Sequence, residues 1–139
     1  MRSRVLVFAL IPALVWGFSI SLAQPALADP SDISVGGVWV GKITHDAAGV
    51  SADQRIVEVH KRITNILSNP VYRTEGAPVS VRPAGQAAGI FVGDQLAITV
   101  MPEDTAGTGV SPMELARQWA QRFARGLTAA LPDANVHVF

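Results

Sequence analysis

The sequence predicts an α+β fold: a mainly antiparallel sheet with two amphipathic helices on one face, in the order ββ-α-βββ-α. Three observations point to it. Glycine-containing turns at Gly36-Gly37 and Gly93-Asp94 separate short runs rich in β-branched residues. Two longer stretches carry apolar residues at three-to-four spacing behind serine caps, Ser51 and Ser111. Each of these stretches ends near a proline, Pro70 or Pro132, which pushes the preceding residue out of helical geometry.

The chain opens with a segment read as a secretory signal rather than as part of the fold. Arg2 and Arg4 supply a positive start, Val5 to Ala23 carries no charge, and Ala26-Leu27-Ala28 offers the small-x-small exit before Asp29-Pro30. The apolar run is near the lower limit for a bilayer span, and Gln24-Pro25 interrupts it, which disfavours an uncleaved anchor. Residues 1–28 are therefore expected as the signal peptide and 29–139 as one α+β domain. No later segment approaches the roughly 20 apolar residues of a transmembrane helix, so no span is expected after cleavage.

Ile33 to Thr44 reads as a hairpin about Gly36-Gly37, with Trp39, Gly41 and Ile43 on one face and Val38, Val40 and Lys42 on the other. The glycine-rich turn lacks the Gly-Lys-Ser/Thr ending of a phosphate loop. Ser51 with Gln54 forms a capping-box pattern, and Asp53 favours the positive end of the helix dipole. Ile56, Val59, Ile63 and Ile66 then mark an apolar stripe that Ser68-Asn69-Pro70 stops. Beyond Pro78 the period becomes two: Val79–Val81, Gly89–Val92 and Leu96–Val100 form a meander, with Phe91 or its neighbours, Leu96, Ile98 and Val100 expected inward. Asp104 to Val110 reads as a loop. Ser111-Pro112-Met113-Glu114 opens the second helix, where Leu115, Trp119, Phe123 and Leu127 line one side and Ala116, Ala120 and Ala124 allow close approach. Asn135 to Phe139 alternates as a short terminal strand would.

The two halves echo one another. A valine-glycine turn, a strand, a loop and Gly-Val-Ser ahead of a helix occur twice, with the Gly-Val-Ser triplets 60 residues apart. A duplicated unit explains this, and so does the reuse of the same turn and cap residues in two unrelated places.

Composition excludes several function classes. The full chain balances 11 basic against 11 acidic residues, and loss of the signal's two arginines leaves the exported part slightly acidic. That balance does not suit nucleic acid or an anionic membrane surface. There is no cysteine, so thiolate metal sites and cysteine nucleophiles are absent and packing alone must hold the domain together.

Candidate chemistry is sparse. His45-Asp46 could orient an imidazole by its carboxylate, and Glu103-Asp104 could supply a further carboxylate or a calcium ligand. No nucleophile elbow, His-Glu-x-x-His spacing or EF-hand pattern accompanies them. His60 falls at the edge of the first helical stripe, and Arg117, Arg122 and Arg125 read as a solvated face. No residue is accordingly assigned as catalytic, cofactor-binding or metal-binding, and no cofactor is expected.

The ordered units carry a resemblance: the hairpin Val35–Ile43, the capped helix from Val50–Arg55 to Leu67–Pro70, the meander with Val92–Val100, and the helix opened by Gly109-Val110-Ser111-Pro112 and running through Trp119. Together they resemble the exported N-terminal domain that precedes the membrane helices in some bacterial channels of the small-conductance mechanosensitive family. The resemblance covers nearly all of Ile33 to Leu131. Here Pro132 breaks the helix that in those channels leads on toward the pore, so the resemblance implies a free-standing periplasmic module and transfers no functional residue. The expected function is an exported, periplasmic or secreted, non-enzymatic binding or protein-interaction module of the cell envelope. Its partner would be an envelope protein or a second copy, with no nucleic acid. A small ligand- or lipid-binding envelope domain, or a hydrolase using His45, are the alternatives.

Overall fold

The computed structural model describes residues 29–139. The expected signal peptide, Met1 to Ala28, lies outside the described residues. The first element pair is a hairpin of β1 (Asp32–Val35) and β2 (Val38–Lys42). Gly36 and Gly37 turn it at φ +55° and +79°, the left-handed geometry that a tight two-residue turn requires. Helix α1 (Ala52–Ser68) follows, its Ser51 hydroxyl accepting from the Gln54 amide at 3.2 Å, and buries Ile56, Val59, Ile63 and Ile66. A single-turn helix, α2 (Val71–Thr74), then drops Tyr72 into the core. Its hydroxyl lies 2.8 Å from both the Val92 carbonyl oxygen and Gln95 Oε1.

The meander consists of β3 (Ala77–Ala84), β4 (Ala87–Val92) and β5 (Gln95–Val100). A short 3₁₀ turn, Pro102–Thr105, leads from it toward α3 (Pro112–Ala130), whose Ser111 hydroxyl accepts from the Glu114 amide at 3.2 Å. The terminal strand β6 (Val136–Val138) pairs parallel with β3 and completes a four-stranded sheet in the order β5-β4-β3-β6. Both long helices bury their stripes in one core that includes Val79, Ile90, Val92, Ile98 and Val100 of this sheet and Ile33, Val35, Val40 and Ile43 of the hairpin. Leu115, Trp119, Phe123 and Leu127 are all buried there, together with Ala116, Ala120 and Ala124. Among the described residues no helix is long and apolar enough to cross a membrane.

The α+β class holds, but the strands divide into two sheets rather than one. The hairpin stands apart because it lies directly on α3. Gly41 sits against the Trp119 indole, where a Cβ would fall 2.7 Å from its Cζ2, and a Cβ on Gly126 would meet the Val35 carbonyl oxygen at 2.6 Å. Gly41 thus makes room for the Trp119 indole between β2 and the helix, while Gly126 lets the β1 backbone approach the helix directly.

Two face assignments, one in each hairpin, change for a common reason. In the hairpin, Ser34 pairs with Trp39 and Ile33 with Gly41, so Val40 is an extra, bulged residue. Strict alternation fails there: Val40, Gly41 and Ile43 are buried while Trp39 remains 47 % exposed. In the meander, Phe91 pairs with Leu96 and Ile90 with Ile98, which makes Ala97 the bulged residue. Ile90, Val92, Ile98 and Val100 therefore face the core, whereas Phe91 and Leu96 pack over Gly89 on the sheet's other face.

The two bulges belong to a repeat. Val35↔Val38, Ser34↔Trp39, Ile33↔Gly41 and Asp32↔Lys42 recur 57 residues on as Val92↔Gln95, Phe91↔Leu96, Ile90↔Ile98 and Gly89↔Thr99. The following helices then recur 60 residues on, behind identical serine caps, the difference being absorbed by the longer loop that holds the 3₁₀ turn. A shared bulge position is more than two hairpins of generic composition would produce. The packing is reciprocal as well: α1 lies against β5 of the second unit, and α3 against β2 of the first.

Candidate functional site

Each half of the repeat forms a groove between the start of its own helix and the outer strand of the other half's hairpin. The first, about 220 Å³, lies beside Arg55, Glu58, Val59 and Arg62 of α1 and is walled by Thr99 and Met101. The second, about 320 Å³, lies beside Leu115, Gln118, Trp119 and Arg122 of α3 and is walled by Lys42 and Thr44. The helix residues correspond one for one at the 60-residue offset, and the wall residues at the 57-residue offset.

The α1 groove satisfies its own charges. Arg62 Nε lies 3.4 Å from Glu58 Oε1, one helical turn away. Arg55 makes a bidentate pair with Asp104, 2.9 Å to Oδ1 and 2.6 Å to Oδ2, and also donates to the His45 carbonyl at 2.6 Å. The Asp104 side chain is fully buried and accepts a further hydrogen bond from the Met101 amide at 2.8 Å. This pair ties the start of α1 to both loops. Beside it the loop tightens through Ala48 and Gly49, with Ala48 at φ +51°, a conformation that costs a non-glycine residue about 1 kcal/mol or more.

The α3 groove does not close in this way. Gln118 stands where α1 has Glu58, so Arg122 has no carboxylate one turn back, and among the described residues it makes no ion pair. Its guanidinium instead lies 4.9 Å from the Trp39 ring centroid, and Nη1 donates to the carbonyl of bulged Val40 at 3.1 Å. The Trp39 indole N–H donates to Asp32 at 3.1 Å, which fixes the ring at the rim with nearly half its surface in solvent. Lys42 meets Asp29 at 2.7 Å in an exposed pair. The Lys42 ammonium, with help from Ser31, holds the Asp29 carboxyl well below the usual carboxylate range, and Asp29 in turn raises Lys42.

The sequence candidates separate in space. The His45 ring nitrogen Nδ1 lies 3.1 Å from the Thr44 hydroxyl, whereas Asp46 accepts from the Ala52 amide at 2.8 Å and so helps start α1. His45 and Asp104 share the rim of the α3 groove, yet both Asp104 oxygens are committed to Arg55 and to the backbone. Asp104 is thus a buried structural anion rather than a solvated loop carboxylate. Among the described residues no group of three or more histidine, aspartate or glutamate side chains is placed to hold a metal. Arg117 pairs with Glu114 at 3.5 Å, and Arg125 is exposed, both in keeping with a solvated face. Arg122 departs from that reading. Its neighbour Trp39 was hidden from sequence reasoning by the bulge, and the signal that could have found the pair is the 60-residue echo, in which Glu58 has become Gln118.

No curated protein and no solved structure matches the chain. A family model does: residues 32–130, from the first strand to the end of α3, match a domain of unknown function, DUF8459. The match spans the hairpin, α1, the meander and α3, and hence both halves of the repeat. The chain belongs to the DUF8459 family.

Proposed function

We propose that this chain is an exported, non-enzymatic binding or protein-interaction module of the cell envelope, and that it engages its partner through the groove between α3 and the hairpin. The observation that carries this reading is the half-exposed Trp39 stacked by Arg122, at a position where the other half of the molecule closes on itself. Exposed aromatic and arginine side chains in a preformed concavity are what binding surfaces use most. A general base needs a partner that orients it, and among the described residues the only side-chain partner of the His45 ring is the neighbouring Thr44 hydroxyl. The signal features of residues 1–28 and the resemblance to exported domains of mechanosensitive channels support the envelope location.

The test is capture from an envelope extract with the exported protein tagged after Phe139, using wild type and Trp39→Ala matched for thermal midpoint. The expected outcome is a partner, identified by mass spectrometry and rebinding as purified protein, that Trp39→Ala loses. Capture indifferent to Trp39, or wild-type hydrolase turnover that vanishes in His45→Ala, would overturn the reading.

A further inference from the structure

We propose that the α3 groove receives an extended acidic peptide segment of a partner protein, with a carboxylate on Arg122 and an apolar or prolyl residue against Trp39. The inference rests on the binding-module reading above and names the chemistry of the partner.

Three observations carry it. First, the charge pattern distinguishes the two related grooves. In the α1 groove Arg55 faces Asp104 and Arg62 faces Glu58, so each cation has its acid. In the α3 groove Arg122 has no acidic partner among the described residues, because Gln118 replaces the glutamate. One of its nitrogens is held by the Val40 carbonyl, which fixes the planar fork in place and leaves its other N–H donors for a ligand. Second, the groove rim already takes an acidic segment, the chain's own. Asp29 sits on Lys42 and Asp32 accepts from the Trp39 indole N–H, so among the described residues Arg122 is the groove cation with no carboxylate in contact. Third, the Trp39 ring lies under the Arg122 guanidinium yet keeps nearly half its surface in solvent, and an extended chain with little side-chain entropy packs well on that exposed apolar part. A nucleic acid would need more than one free cation, since its phosphates recur at every nucleotide.

The experiment uses the exported protein and two acetylated hexapeptides, alternating Glu-Pro and alternating Gln-Pro. Trp39 and Trp119 both line the groove, so tryptophan emission reports its occupancy and the Trp39 indole N–H resonance reports contact at Trp39. The Glu-Pro peptide is expected to bind saturably, and Arg122→Gln to weaken it by about fivefold or more, the loss expected for one charge-assisted contact. Arg62→Gln, in the counterpart groove, should leave its affinity unchanged. Equal binding of the Gln-Pro peptide, equal loss in Arg62→Gln, no change in Arg122→Gln, or no saturable binding would each overturn the inference. If the Glu-Pro peptide fails while a purified partner still binds in a Trp39-dependent way, the acidic-segment inference falls and the binding-module reading stands. If capture is indifferent to Trp39, that reading falls too.

Discussion

The β1–β2–α1 half and the β4–β5–α3 half share a hairpin register, a bulge position and a helix cap, yet they fill the space between helix and hairpin differently. Where α3 carries Trp119, the strand beneath it carries Gly41, whereas α1 has Val59 and β5 has Ile98 at the corresponding places. One half thus combines a large side chain with none, the other two of middle size, at a similar packing requirement. Charges diverge likewise: a buried Arg55–Asp104 pair locks the first helix start, while Leu115 occupies the corresponding position on α3. A repeated backbone therefore leaves room for one groove to become structural and the other to stay open.

The packing contrast predicts the largest effect. Trp119→Ala should cost about 3–5 kcal/mol, because it empties the space that Gly41 leaves for the indole. Trp119→Val with Gly41→Ile copies the other half's solution, and should be less destabilised than the sum of the single variants by about 1 kcal/mol or more. Denaturant midpoints at unchanged m-value check both; strict additivity would mean the two halves are not interchangeable in packing.

Next in size is the ion pair. Asp104→Asn leaves the Arg55 guanidinium buried without its anion and should cost about 3 kcal/mol. Arg55→Leu with Asp104→Ala, which gives α1 the side chain that α3 has, should be milder than either single change. A single-variant loss near that of a surface pair would show that water replaces the bond.

The smallest effect concerns the hairpin turns. Gly36 rests on α3, while Gly93, at nearly the same φ, lies 3.4 Å in hypothetical Cβ contact from the Tyr72 hydroxyl. Tyr72→Phe should cost about 1 kcal/mol through its lost hydrogen bonds. Burial foremost, and then the negative Asp94, raise the Tyr72 phenol above its ordinary value. The folded protein therefore keeps that proton when an unfolded tyrosine, at about pH 10, has begun to lose it. The linked stability is intact below that pH and is lost as pH rises through the folded pKa. Unfolding midpoints across the alkaline range should fall for wild type and flatten for Tyr72→Phe.

Most of the local structure was legible in the chain itself. Ser51 and Ser111 cap the helices they were expected to cap, the apolar stripes are buried as spaced, and Gly36-Gly37 and Gly93-Asp94 turn the hairpins. The expectation for Asn135 to Phe139 also matches β6, though not its parallel pairing to β3. Less legible were α2 and the 3₁₀ turn, which bring Tyr72 and Asp104 inward from stretches read as connection. Of the candidate site, the residues were visible but their partners were not: Arg122 read as solvated, and Asp104 as loop.

Local sequence determined the elements, because capping, turn geometry and periodicity depend on residues a few positions apart. The tertiary structure alone decided where Trp39 and Leu96 face, since a bulge shifts alternation according to the partner strand and leaves no mark in the bulged strand's own composition. It also decided that Arg55 meets Asp104 while Arg122 meets the Val40 carbonyl, because those contacts join residues 49 and 82 positions apart. Side chains so distant are brought together by packing of the two halves, whereas the one-turn spacing of Glu58 to Arg62, and of Gln118 to Arg122, was written in each helix.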